Sequence, residues 1–171
     1  AEKVVYPFGY GLSYTTFDVE TVSAGVVNSN CTSCTTTAGL TDADIDIEAG
    51  KLYAKVRVTN TGKFSGKEVV QVYIAKPQGK LGKPAKELVA FEKTRDLQPG
   101  ESQLITLTWE INDMASYDDL GKVKKSAYVL EAGSYDIYVG TSVRDVTKAD
   151  YSYILNHDVI TEQLSAKLIP T

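Results

Sequence analysis

The segment Leu52–Thr59, LYAKVRVT, alternates without a break, with Leu52, Ala54, Val56 and Val58 on one side and Tyr53, Lys55, Arg57 and Thr59 on the other. Successive side chains of an extended chain point to opposite faces, so this period predicts a strand with one apolar face on a core. Lys67–Ala75, KEVVQVYIA, is more continuously apolar, as expected of a central strand covered on both faces. Glu87–Lys93 reads as another strand near an edge, and Ser102–Trp109 points Ile105, Leu107 and Trp109 to one side, with Trp109 as a core plug. Val123–Leu130 and Ser134–Gly140 are expected to form a hairpin through Glu131-Ala132-Gly133, with Tyr135, Ile137 and Val139 facing one way. Turn signals separate these runs: Asn60-Thr61-Gly62, whose residues tolerate positive φ, a loop with Pro77, Gly79, Gly82 and Pro84, and Gln98-Pro99-Gly100-Glu101. Met114–Gly121 reads as a short turn region. Short strands at this spacing with no helix between them predict an all-β antiparallel sandwich or barrel.

Composition agrees. A chain of 171 residues and 18.6 kDa suits one domain, able to bury roughly 70% of the surface an unfolded chain exposes. Eleven tyrosines against four phenylalanines and one tryptophan lean towards strand-rich structure, because aromatic rings pack well on a pleated surface. With a net charge of -4 and no basic stripe, neither nucleic acid nor a membrane surface is expected as a partner. No apolar run approaches the roughly 18 residues of a membrane-spanning helix, and no signal peptide opens the sequence. The location expected on that ground leans to the cytoplasm, although a fragment says nothing of its parent.

Near the start, Tyr6, Phe8, Tyr10, Tyr14 and Phe17 crowd one stretch, YPFGYGLSYTTF, while Pro7, Gly9 and Gly11 keep its backbone out of regular structure. It reads as an aromatic anchor. Ser13–Val22 follows as a first strand, with Tyr14, Phe17, Val19 and Val22 as candidate core contacts. From Ser23 to Gly50 regularity fails, apart from Asp42, Asp44, Asp46 and Glu48 alternating with Ala43, Ile45 and Ile47 as a short charged edge strand. At the other end Asp150–Leu155 reads as a short strand. Asp158–Leu168 reads as a helix: Asp158 as N-cap, Glu162 in the first turn, Ile160, Leu164 and Leu168 on one face, and Pro170 as the stop.

Candidate chemistry is sparse. Cys31 and Cys34 have C-x-x-C spacing, but His157 is the one histidine and no second cysteine pair completes a zinc site. They read as incidental loop thiols or a local disulfide. Asp42-x-Asp44-x-Asp46 lacks the glycine and glutamate of a calcium loop, having Ile47 and Tyr53 there. Asn30-Cys31-Thr32 fits the N-glycosylation pattern, which matters in a secretory compartment. Asp118 and Asp119 read as a solvated turn, and His157 as a loop or cap residue rather than a general base. No catalytic residue, metal ligand or cofactor site is expected.

Four segments together, YPFGYGLSYTTF, VRVTNTGKFSGKEVVQVYI, KPAKELVAFEKTRDLQPGES and AGSYDIYVGTSVRD, are similar in order and approximate spacing to the fibronectin type III-like domain of family 3 glycoside hydrolases, the β-glucosidases and β-xylosidases. The resemblance implies an immunoglobulin-like, fibronectin type III-like β-sandwich, here with a short C-terminal helix. It implies that residues 1–12 are the tail of a preceding catalytic α/β domain or a linker, 13–148 the sandwich, and 149–171 an extra strand plus helix, a linker to a following domain as in members with reversed domain order. The family's catalytic carboxylates lie in its other domains, so the fragment is expected to be inert alone. Its partners would be the catalytic domains of the parent chain, with Tyr6, Phe8, Tyr10 and Tyr14 as interdomain anchor or, alternatively, as a plug closing one end of the sandwich core. A different reading is an accessory carbohydrate-binding module for oligo- or polysaccharide, which predicts two or three exposed aromatics in one plane. An adhesion sandwich would predict tandem repeats, and none is visible.

Overall fold

The alternating segment becomes the strand β2 (Lys51–Asn60), and its apolar side is sealed: Leu52, Ala54, Val56 and Val58 are fully buried. The structure, a computed structural model, describes residues 6–27 and 50–165. The Cys31 and Cys34 pair, Asn30-Cys31-Thr32 and the Asp42 to Glu48 alternation lie outside the described residues. β2 is the middle of a three-stranded antiparallel sheet, between β1 (Phe17–Val27) and β5 (Ser102–Glu110). Facing it is a four-stranded antiparallel sheet built from β3 (Val69–Ala75), β4 (Glu87–Lys93), β8 (Gly133–Gly140) and β9 (Val146–Leu155), in the order β4-β3-β8-β9. Val70, Val72, Ile74, Ile137 and Val139 meet Val56, Ile105, Leu107 and Trp109 in one core. β1 runs beside β9 and β4 beside β5, so the two sheets approach each other at both edges. A third, smaller sheet has β7 (Ala127–Leu130) between β6 (Ser116–Asp118) and β10 (Val159–Gln163). All three sheets are antiparallel, so the expected all-β sandwich is the fold.

Several expectations are corrected. β7 and β8 are not a hairpin, because they belong to different sheets. Glu131 between them is buried, and its carboxylate accepts the N–H groups of Lys80 (2.5 Å) and Leu81 (3.2 Å) and pairs with the buried ammonium of Lys83. The Tyr135 hydroxyl donates to the Glu131 carbonyl (2.8 Å). This corner is therefore held by long-range bonds that a tight hairpin turn could not make. Nor is there a helix from Asp158. Its carboxylate accepts the Ala132 N–H (2.8 Å) and pairs with Lys80 (3.4 Å) instead of capping its own chain. Val159–Gln163 pairs with β7, an outcome that the β-branched run Val159-Ile160-Thr161 favours. Met114–Gly121 is more than a turn: one 3-10 turn, Ile111–Met114, buries Ile111 and Met114 and leads into β6.

In β1, Phe17 and Val19 pack on the core as expected, but Tyr14 and Val22 do not. Tyr14 precedes the strand, Val22 falls on the outward face with Asp18 and Glu20, and the register shift between Thr21 and Ser23 then changes the phase so that Ala24 is buried. The strand then continues to Val27, through residues expected to be irregular. At Asn60-Thr61-Gly62 no residue takes a positive φ. Gly62 is needed for another reason, since a Cβ there would collide with Thr15.

Asn60 itself is fully buried. Its Oδ1 accepts from the Thr15 hydroxyl (2.9 Å) and the Gly62 N–H (3.0 Å), and its Nδ2 donates to the carbonyls of Phe64 and Leu97 (both 2.8 Å). Its backbone N–H donates to the Glu101 carbonyl and its carbonyl accepts from Gly100. Asp118 is likewise fully buried, against the expectation of a solvated turn, whereas Asp119 is exposed. Its two oxygens accept the N–H groups of Gly121 (2.7 Å), Lys122 (3.0 Å), Val123 (2.6 Å) and Lys124 (2.8 Å). Burial pushes this carboxyl up, and the four N–H groups together overrule it, holding Asp118 below the ordinary aspartate value.

Asn60→Ala should cost roughly 3 kcal/mol in urea denaturation, because it strands buried donors and acceptors on three other segments. Since the folded-state pKa of Asp118 is depressed, its stabilisation is present above the unfolded value of about 4 and is lost as pH falls through the folded value. Thermal melts from neutral to acidic pH should therefore show the melting temperature falling below about pH 4, and Asp118→Asn, less stable at neutral pH, should show a shallower acid decline.

Candidate interaction surface

Alternation in β3 points Val70, Val72 and Ile74 into the core and leaves Gln71 and Tyr73 on the outer face of the four-stranded sheet, yet both are buried. What covers them is the strap of residues 6–11. The Gln71 amide donates to the carbonyls of Gly9 (2.9 Å) and Thr141 (2.8 Å), and its Oε1 accepts from the Tyr73 hydroxyl (2.5 Å). Tyr10 N–H donates to the Pro7 carbonyl (3.1 Å) and Val143 N–H to the Phe8 carbonyl (3.0 Å). Gly9 has φ +77°, and a Cβ there would strike the Gln71 side chain and the Tyr73 hydroxyl. The turn thus requires glycine twice over, for its conformation and for its closeness. Desolvation of the Tyr73 phenol raises its pKa.

The strap's backbone is fastened while its rings face water. Tyr6 is 65% exposed, Phe8 66%, Tyr10 47% and Tyr14 98%. Phe8 meets Tyr73 edge-on at 6.5 Å and Tyr6 leans on Tyr10 at 5.2 Å, so part of the set is pre-arranged. These rings do not plug the sandwich core. Other exposed apolar residues extend the surface: Leu12 within the same segment, Phe91 opposite Gln71 in the β3–β4 register, and Phe64 on a loop whose Gly62 and Gly66 pack on Thr15. Sequence reasoning missed Phe64, Phe91, Gln71 and Tyr73. The available signal was Gln71, one amide in an otherwise apolar central strand. Exposed aromatic surface on this scale makes this face a candidate interaction surface.

Catalytic geometry is not assembled among the described residues. No group of three or more His, Cys, Asp or Glu side chains gathers as metal ligands there. Asp118 and Glu131 are buried and committed to backbone N–H groups, and His157 is exposed on the bend between β9 and β10. No helix among the described residues is long and apolar enough to cross a membrane.

Residues 68–143 match the fibronectin type III-like domain family. The chain is 55% identical over 170 residues to β-glucosidase A of Butyrivibrio fibrisolvens, covering 99% of itself and 20% of that protein. It is 39% identical over 170 residues to a β-glucosidase of Ruminococcus albus, covering 99% of itself and 16% of the relative. The crystal structure of a β-glucosidase from Paenibacillus barengoltzii superposes with a TM-score of 0.79 at 45% identity, over 96% of this chain and 16% of that one. The chain thus spans a fifth or less of the length of these relatives.

Gln71→Leu removes the amide that ties the strap to β3 and leaves the Tyr73 hydroxyl and the Gly9 and Thr141 carbonyls without it. It should cost about 1–3 kcal/mol in urea denaturation, and hydrogen exchange should quicken at the Val143 amide as the strap lifts.

Proposed function

Because this chain belongs to the fibronectin type III-like domains of family 3 glycoside hydrolases, we propose that it serves a β-glucosidase as a non-catalytic domain whose strap face docks on the catalytic domains of the same polypeptide and holds them in position. The observation that carries this reading is the contrast within residues 6–14, a backbone fastened to β3 and to Val143 beneath rings left in water. Pre-fixed side chains lose little freedom on docking, so their apolar surface converts efficiently into association. Contacts between domains of one chain bury roughly 600–1,500 Å², a scale that Tyr6, Phe8, Tyr10, Tyr14, Leu12, Phe64 and Phe91 can supply from this side. Glycoside hydrolysis needs two carboxyl groups about 5–9 Å apart across the scissile bond. The buried carboxylates among the described residues, Asp118 and Glu131, are spoken for by loops of this chain, so this reading assigns that pair to the rest of the polypeptide.

In the full-length enzyme, replacing Tyr6, Phe8, Tyr10 and Tyr14 together by serine should lower the temperature of half-inactivation of β-glucosidase activity. The stability of the isolated chain should move by no more than about 0.5 kcal/mol per substitution, since these rings are exposed in it. Unchanged inactivation in the full-length variant would remove the docking role.

A further inference from the structure

A second aromatic feature lies on a different sheet. Tyr117 of β6 and Tyr128 of β7 stand directly opposite each other in register, with ring centroids 5.4 Å apart and planes inclined by 53°. They are 46% and 37% exposed. A cleft opens on each side of this ridge. On one side Tyr117 shares a space of about 490 Å³ with Lys76, Lys83, Lys122, Glu87, Asp119 and Pro84. On the other, Tyr128 shares about 340 Å³ with Asp113, Thr161 and Glu162. Ala115 borders both, so the clefts adjoin at the foot of the ridge.

The two clefts offer different chemistry, mixed lysine and carboxylate in the first and carboxylate with hydroxyl in the second. In the first, the Lys76 side chain is 2% exposed and pairs with Glu87 at 2.7 Å. Its contacts to the Ala115 carbonyl and the Ser116 hydroxyl are both stretched to 3.5 Å, so a buried ammonium faces the cleft with weakly used donor capacity. In the second, the carboxylates of Asp113 and Glu162 are acceptors beside the hydroxyl of Thr161. A polyanion is repelled by the carboxylates of the second cleft, and the first, where Glu87 and Asp119 stand among the lysines and Lys76 and Lys83 are already paired, draws neither sign of polyion strongly. A neutral ligand with an apolar face and many hydroxyls suits both at once. Hydroxyls on one edge of the ligand can accept from lysine in the first cleft and those on the other edge donate to carboxylate in the second, while the apolar face lies on a tyrosine ring. The volumes are those of ordinary small-molecule sites.

From this arrangement we propose that the Tyr117–Tyr128 ridge and its flanking clefts bind a single chain of neutral saccharide. The rings are inclined rather than coplanar, so the ridge does not match a flat array of packed chains and suits one chain that twists from one sugar to the next. This site is on a different sheet from the strap and does not depend on the docking role.

The test is an NMR titration of this chain with cellotetraose and with xylotetraose. Saturable shifts at Tyr117, Tyr128 and Glu162, with a dissociation constant on the order of 1 mM, are expected for at least one of the two. Tyr128→Ala should weaken binding about tenfold, and Tyr14→Ser, on the strap, should leave it unchanged. If Tyr128→Ala fails to fold, as judged by amide dispersion, the exposed-position variants Glu162→Gln and Lys122→Gln decide, each with an expected loss of about threefold. A flat titration to about 20 mM, shifts confined to residues 6–14, or wild-type affinity in the folded variants would overturn the proposal.

Discussion

One buried amide holds the end of this sandwich together. Asn60 terminates β2, and all four hydrogen-bonding positions of its side chain are used, on Thr15, Gly62, Phe64 and Leu97. These residues belong to the approach to β1, the loop after β2 and the segment before β5. Its backbone adds the Gly100 and Glu101 turn. A hydrophobic core fixes which faces are buried but is indifferent to how chain segments cross at its end. Directional bonds in a place without water supply that register, because leaving any partner unmet is costly. The Gly66 and Leu97 bridge beside it, with mutual backbone bonds of 3.1 and 2.8 Å, depends on the same placement.

At the other side of the molecule, charge does comparable work. Glu131 with Lys83, and Asp118 with the N–H groups of the loop after β6, are buried ions surrounded by donors. Neither arrangement adds much stability over an apolar filling, since desolvation offsets most of the attraction. What each adds is position. Glu131 turns the chain out of β7 into a different sheet, and Asp118 wraps residues 121–124 around one carboxylate. The small sheet, and therefore the ridge of Tyr117 and Tyr128, stands where these two ions place it.

The strap follows a third logic. Its polar backbone is satisfied inward, by Gln71 and Val143, and its rings are presented outward. A domain that folded for its own sake would turn those rings into its core. Leaving them exposed on a fastened backbone is unfavourable for the chain alone and favourable once a partner surface covers them, which is the sense of the docking role proposed for it.

How far the sequence could be read follows from the range of the forces involved. Alternation placed β2 and β5, and a continuous apolar run placed β3, to within two residues, and alternation in β2, β5 and β8 marked the buried faces of Val56, Ile105, Trp109 and Val139, because a half-buried strand writes its burial into every second side chain. The strap was legible as unusual, from its aromatics and glycines, but not as exposed. Where alternation faltered, local cues misled. Asp158 was a plausible cap and Glu131-Ala132-Gly133 a plausible turn, yet each carboxylate serves residues far away in the chain, on Ala132 and Lys80 in one case and on Lys80, Leu81 and Lys83 in the other. Asn60 and Asp118 looked like surface turn residues for the same reason. The sequence by itself determined the all-β class, the core faces and the domain family. The tertiary structure alone decided which sheet each late strand joined and which polar groups were buried, because a hydrogen bond between distant residues leaves no periodic trace in either of them.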